Sequence, residues 1–323
     1  MRSDHMNLEE TAEQIRSMEI RGAGRIARAA ARALLDHSVS CSSPDLDSYR
    51  HEMMKAANLL ATARPTAVSL PNAVNIISRP LKSMTSLKEA KEGFEERARS
   101  FISHSEHAVS RIGEIGARHI RNGDVIMTHC NSEAALNCIL TADKQGMDIE
   151  VYATEVRPRN QGHITIKTLS DAGIKTNFIV DSAARYFMNE VDLCITGADA
   201  ISVNGAVINK IGTAQMALAA KEARVNFLVA AESYKFAPRT ILGERILIEE
   251  RPSAEVLPDA ILADLPHVTV RNPTFDITPA EYVDLIITEQ GAIPPAMAFT
   301  MIQEHLNWSI DDLCSDYQYC EEE

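Results

Sequence analysis

From Asp124 onward, short apolar runs alternate with helical patterns, and this alternation limits the fold more than any other feature of the chain. The runs fall at 124–128, 149–153, 176–180, 191–196, 226–231 and 283–288. The stretches 133–145, 161–172, 183–188 and 213–223 repeat their apolar residues every three to four positions. Continuous apolar strands separated by helices indicate a parallel sheet buried on both faces, because a crossover helix is what returns the chain to a parallel neighbour. The expected fold class is α/β. A helical N-terminal domain (1–121), ending in a long bridging helix, precedes a Rossmann-like doubly wound parallel sheet domain (122–323).

The helical part has its own punctuation. Glu9 to Met18 predicts a short helix. Ile20-Arg21-Gly22-Ala23-Gly24-Arg25 opens an alanine-rich helix from Ile26 to Leu35. Such a turn can cradle a phosphate on backbone N–H groups, although alone it reads equally well as a helix start with solvated arginines. Ser43-Pro44 predicts the cap and first turn of a helix from Asp45 to Ala63, stopped by Arg64-Pro65-Thr66. Ser86-Leu87-Lys88-Glu89 has the capping-box form. Behind it the stripe Leu87, Ala90, Phe94, Ala98, Phe101, Ser105, Ala108, Ile112 and Ile115 predicts a helix of about 35 residues ending at Asn122-Gly123. At the far end, 275–292 reads as loop, strand and turn, 296–306 as a last helix, and the acidic tail from Asn307 as solvated.

Two strand ends pass through polar elbows. The first is Thr128-His129-Cys130-Asn131-Ser132-Glu133-Ala134. The second is Gly197-Ala198-Asp199, followed by the hairpin signal Asn204-Gly205 and by Asn209-Lys210-Ile211-Gly212-Thr213. Ligands of open α/β sheets bind at the carboxyl ends of strands, so a thiol and a carboxylate are offered there, beside helix N-termini that favour anions. The helix dipole, and His129 if protonated, would lower the pKa of Cys130. The alternatives are a buried thiol acting as a small hydrophobe and an Asp199 that caps a turn. Arg157-Pro158-Arg159 follows a strand and precedes a helix, which suits two arginines to a phosphate. Lys235, just past the strand ending at Ala230, is a further phosphate candidate.

Composition closes off several classes. The net charge of −13 argues against general nucleic-acid or membrane affinity, and it means that an anionic substrate needs a local basic pocket. Six cysteines show neither a C-x-x-C pair nor zinc spacing, so no metal or other cofactor is expected and the thiols read as free and cytoplasmic. No apolar run approaches membrane-spanning length. Several anion-binding stretches around one thiol–carboxylate pair suggest a bisphosphorylated small molecule.

These blocks, with Ala153-Thr154-Glu155-Val156-Arg157-Pro158-Arg159-Asn160-Gln161-Gly162-His163 between them, resemble the sugar-phosphate aldose–ketose isomerase superfamily from Arg21 to about Leu306. That superfamily includes methylthioribose 1-phosphate isomerase and the regulatory subunits of the translation-initiation guanine-nucleotide exchange factor. Within it the chain is most similar to the archaeal ribose 1,5-bisphosphate isomerases. The resemblance implies conversion of ribose 1,5-bisphosphate to ribulose 1,5-bisphosphate in nucleoside monophosphate (AMP) degradation. Asp199 would be the acid on the ring oxygen, its pKa raised by a dry pocket, and Cys130 the base at C2. A hydride shift would leave Cys130 a supporting role. Arg21, Gly22, Ala23, Gly24 and Arg64 would hold the distal phosphate, with Ser132, Glu133, Ala134, Arg157, Asn209, Lys210 and Lys235 also binding substrate. The resemblance further implies homodimers or a hexameric trimer of dimers, and AMP as an activator, although no nucleotide motif is visible. The thio-sugar enzyme would need an apolar far end to its pocket, and its R-G-A-P pattern differs from Arg21-Gly22-Ala23-Gly24 here. A translation-factor subunit would be non-enzymatic and generally lacks the cysteine and aspartate.

Overall fold

The computed structural model describes residues 7–20, 22–64 and 66–306. Five helices come first: α1 (Leu8–Arg16), α2 (Ala23–Ser40), α3 (Leu46–Ala61), α4 (Ser69–Ser78) and α5 (Leu87–Ala117). Asp45, not Ser43, caps α3, its carboxylate accepting from the Ser48 N–H at 2.8 Å, so Pro44 lies ahead of the cap. Ser86 caps α5 as its motif predicts, and Glu89 reaches back to the Thr85 N–H at 3.2 Å. The helix stops at Ala117, before Asn122-Gly123. Helix α4 was not anticipated.

The sheet part runs β1 (Val125–Thr128), α6 (Glu133–Lys144), β2 (Glu150–Thr154), α7 (Gly162–Asp171), β3 (Lys175–Ile179), the single turn α8 (Ala184–Phe187) and β4 (Leu193–Gly197). It continues through β5 (Ala200–Ser202), β6 (Val207–Lys210), α9 (Thr213–Ala223), β7 (Asn226–Ala230) and β8 (Phe236–Ala237). After the short α10 (Asp259–Leu262) come β9 (Phe275–Thr278), β10 (Leu285–Thr288), β11 (Gly291–Ile293) and α11 (Ala298–His305). The main sheet has the order β11-β10-β7-β4-β1-β2-β3 and is parallel except for the antiparallel edge strand β11. A second sheet, β8-β5-β6-β9, was not anticipated beyond its β5–β6 hairpin. Its strand β9 covers the stretch expected to be a loop, paired antiparallel to β6.

The strand order reverses at β1: β2 and β3 lie to one side, β4, β7 and β10 to the other. A sheet of this kind opens a crevice where neighbouring strands send their chains in opposite directions. Here the two flanking strands are β1 and β4, whose elbows carry Cys130 and Asp199.

One core cluster runs unbroken from the helical part (Ile15, Leu34, Leu60, Ile77, Phe94) to the sheet (Cys194, Phe227, Val229). A second packs α5 and α6 on the other face of the sheet. Close approach there rests on glycine: a methyl group at Gly113 would meet Thr141 Oγ1 at 2.9 Å and the Asn137 carbonyl at 3.0 Å. Among the described residues no helix is long and apolar enough to cross a membrane.

Candidate active site

A cleft of about 190 Å³ opens at the switch point between β1 and β4. Its walls come from chain stretches far apart in sequence: the start of α2, Arg64 with Thr66, Ala67 and Ser69, the two elbows, the end of β6, and Glu232 with Lys235. Of the residues singled out from sequence, Gly22, Ala23, Gly24, Arg64, Cys130, Ser132, Glu133, Ala134, Asp199, Asn209, Lys210 and Lys235 all line it. Arg157 does not. It is exposed, and its backbone N–H is held by Asp181 at 2.8 Å outside the cleft. Its neighbour Arg159 is paired with Glu255. Neither arginine lines the cleft. Arg21 lies outside the described residues, as does the acidic tail.

Cys130 sits three residues before α6 with a positive φ of 70°. Its thiol is 3.6 Å from Gln161 Oε1, and its carbonyl accepts from Thr165 Oγ1 at 2.9 Å. Burial pushes the thiol up to about 11, with Asp199 adding to the rise and Lys210 opposing it. The expectation of a depressed thiol is therefore corrected for this site: desolvation outweighs the helix start. His129 gives no help. It is buried, and burial holds its pKa low. Nε2 lies 2.8 Å from the Ile211 carbonyl and Nδ1 2.6 Å from Thr154 Oγ1, an arrangement that assigns a neutral ring donating from Nε2. It acts as a clamp between the two elbows. Gly212 leaves room for it: a methyl group there would meet His129 Cε1 at 2.8 Å.

The cations around the cleft differ in how far they are already neutralised. Lys235 pairs with Glu232 at 2.7 Å, both buried. Burial alone would raise the Glu232 carboxyl and lower the Lys235 ammonium, but their mutual attraction reverses both, so the pair is ionised. Arg64 holds Glu249 through Nη2 at 3.2 Å, with Thr66 on the same carboxylate. Lys210 has no carboxylate partner among the described residues. Its Nζ lies 3.3 Å from the Thr274 carbonyl and 4.5 Å from the Phe275 ring centroid, and burial lowers its pKa. Asn209 donates to Thr213 Oγ1 at 2.9 Å, which fixes the β6–α9 turn. The first N–H groups of α2 have no acceptor within the helix, and Ala23 and Gly24 present that end to the cleft.

Sequence reasoning missed the arm between Gly243 and β9. It brings Ile246, Leu247 and Arg251 into the cleft. Its aperiodic sequence gives no pattern to read, although Glu249-Glu250-Arg251 is a charge cluster that could have raised the question. No group of His, Cys, Asp and Glu among the described residues has the arrangement of a metal site.

The comparisons with known proteins agree with this architecture. The profile of the initiation factor 2 subunit family matches residues 19–295. A ribose 1,5-bisphosphate isomerase of Archaeoglobus fulgidus is 54% identical, covering 93% of this chain and 94% of its own. One from Methanocaldococcus jannaschii is 51% identical, covering 93% and 96%. Among solved structures, a translation initiation factor eIF-2B of Pyrococcus horikoshii superposes with a TM-score of 0.74 at 31% identity, covering 89% of this chain and 97% of its own. With that match over most of its length, and with two isomerases at about half identity, the chain belongs to the initiation factor 2 subunit family.

Proposed function

We propose that the chain is an aldose–ketose isomerase that converts α-D-ribose 1,5-bisphosphate to D-ribulose 1,5-bisphosphate. The observation that carries this reading is the placement of Cys130 and Asp199 just past the ends of the two strands that flank the switch point, in one cleft with Arg64, Lys210 and Lys235. A phosphate on the anomeric oxygen blocks simple ring opening, so an acid has to protonate the ring oxygen; Asp199 is that acid. Cys130 takes the C2 proton as the general base and returns it to C1, while Asp199 recovers its proton from the C2 hydroxyl as the ketone forms. The reaction therefore starts from the Cys130 thiolate. Burial of the thiol opposes that form, and Lys210 favours it. The α2 start, Arg64, Asn209, Lys210 and Lys235 bind the two phosphates and the sugar hydroxyls. Several cations lining the cleft suit a bisphosphate better than a thio-sugar monophosphate. The reaction would serve AMP breakdown, in a homodimer or trimer of dimers.

The test is incubation with α-ribose 1,5-bisphosphate, followed by phosphorus NMR with and without AMP. Ribulose 1,5-bisphosphate should form, and Cys130→Ser and Asp199→Asn should each abolish turnover while leaving substrate binding largely intact. Near-normal turnover in Cys130→Ser would remove the thiol from the chemistry. Inertness of the wild type toward this substrate would reject the assignment.

A further inference from the structure

Arg251 enters the cleft from the aperiodic arm. Its Nε is anchored on Thr274 Oγ1 at 3.2 Å. Its Nη groups have only weak partners: Nη2 lies 3.8 Å from the Met18 thioether, and Nη1 lies 3.8 Å from Glu255 Oε1. A half-buried guanidinium with both Nη groups short of a strong acceptor is poised for an anion. Glu255 approaches it no closer than 3.8 Å, through an Oε1 that Arg159 holds more tightly, by Nε at 2.9 Å and by Nη2, while Glu255 Oε2 has no hydrogen-bond partner. Arg64 and Lys210 crowd the same region closely enough that their charges add to that of Arg251. Glu249 is committed to Arg64.

We propose that Arg251 binds a phosphate of the substrate, and that Arg159 is a positioning residue that keeps Glu255 from occupying Arg251. The proposal rests on the sugar-bisphosphate reading. It gives the Arg157–Arg159 motif a task at one remove from the cleft, and it adds a phosphate ligand that the sequence blocks do not contain. Glu255 is then the internal anion against which the substrate's phosphate must compete, and Arg159 sets the strength of that competition.

The experiment is steady-state kinetics on ribose 1,5-bisphosphate for Arg251→Gln, Arg159→Gln, Glu255→Gln and the double variant Arg159→Gln/Glu255→Gln, with inorganic phosphate binding measured in parallel by titration calorimetry. Loss of one charged hydrogen-bonding pair predicts a KM about 30-fold higher in Arg251→Gln, with kcat within about threefold. Arg159→Gln should raise KM about fivefold, because the released carboxylate turns to Arg251. The double variant should return KM close to the wild-type value, which a merely structural role for Arg159 would not produce. A KM within twofold of wild type in Arg251→Gln, or a double variant no better than Arg159→Gln, overturns the proposal. Should Arg251→Gln fail to fold, the Arg159 and Glu255 variants carry the test alone. Should the wild type be inert toward the sugar, the functional reading fails; the same ordering of phosphate affinities would still support the anion site, and equal affinities would reject it.

Discussion

The resting state of Cys130 can be read directly. Burial moves the thiol from 9.0 to about 11, which lowers the thiolate fraction at any pH below about 8 by a factor of about 100. A thiolate of higher pKa is also the better nucleophile: with a Brønsted slope near 0.45, two units return a factor of about 8. Cys130 in the native protein should therefore react with iodoacetamide about tenfold more slowly than the same cysteine in the denatured chain, before any shielding from the reagent. Peptide-resolved mass spectrometry at a series of pH values measures both. The logarithm of the native rate should rise by about one per pH unit through pH 9.5 and still be climbing, whereas the denatured control bends near its ordinary value. Lys210→Met removes the opposing cation and should lower the native rate further. A native profile that levels off below pH 8.5, or a native rate at pH 7.5 above the denatured one, would refute the dominance of burial.

Three further perturbations test the frame around the cleft. Burial raises Asp276 from 3.8 to about 6 while its Oδ2 caps α9 through the Gly212 and Ala214 N–H groups. That preference for the protonated form stabilises fully below about pH 4 and is lost as pH rises through about 6, so Asp276→Asn should gain about 1–3 kcal/mol on the wild type between pH 5 and 7.5; a stability difference flat with pH would contradict this. Lys235→Met strands a buried Glu232 carboxylate and should cost about 3–5 kcal/mol in urea unfolding, most of it recovered in Lys235→Met/Glu232→Gln. Gly212→Ala combines a φ of 104° with a contact against His129 and should lower stability by about 1–3 kcal/mol and slow turnover; a stable, fully active variant would show that the elbows tolerate separation.

How much of this was legible depended on periodicity. The runs ending at Thr128 and at Thr196 are mostly apolar, and the residues after them change character at once, so both elbows could be placed at strand ends from sequence alone. The pairing of those ends at the switch point is a fact of strand order, which sequence does not contain. The second sheet was hidden because β8 has only two residues and β9 alternates too briefly to register against its aspartate and threonine. Arg157 and Arg159 have the right residue type at a strand end, but spacing cannot tell which way a side chain turns after a loop. Arg251 is the converse: it belongs to the cleft but sits in a stretch with no repeat to announce it. The depressed thiol was expected from the nearby helix start, a local feature; the desolvation that overrides it comes from residues far away in the chain.

Cys130 also bears on how chains of this fold diverge. Its φ of 70° places an ordinary L-residue in the left-handed region, at a cost of about 1–2 kcal/mol that glycine would avoid. A lineage selected only for a durable scaffold would thus gain by losing the thiol, while one kept for turnover must hold it against that drift. Replacement of this residue by glycine would ease the backbone and, under the proposed mechanism, remove the base with it.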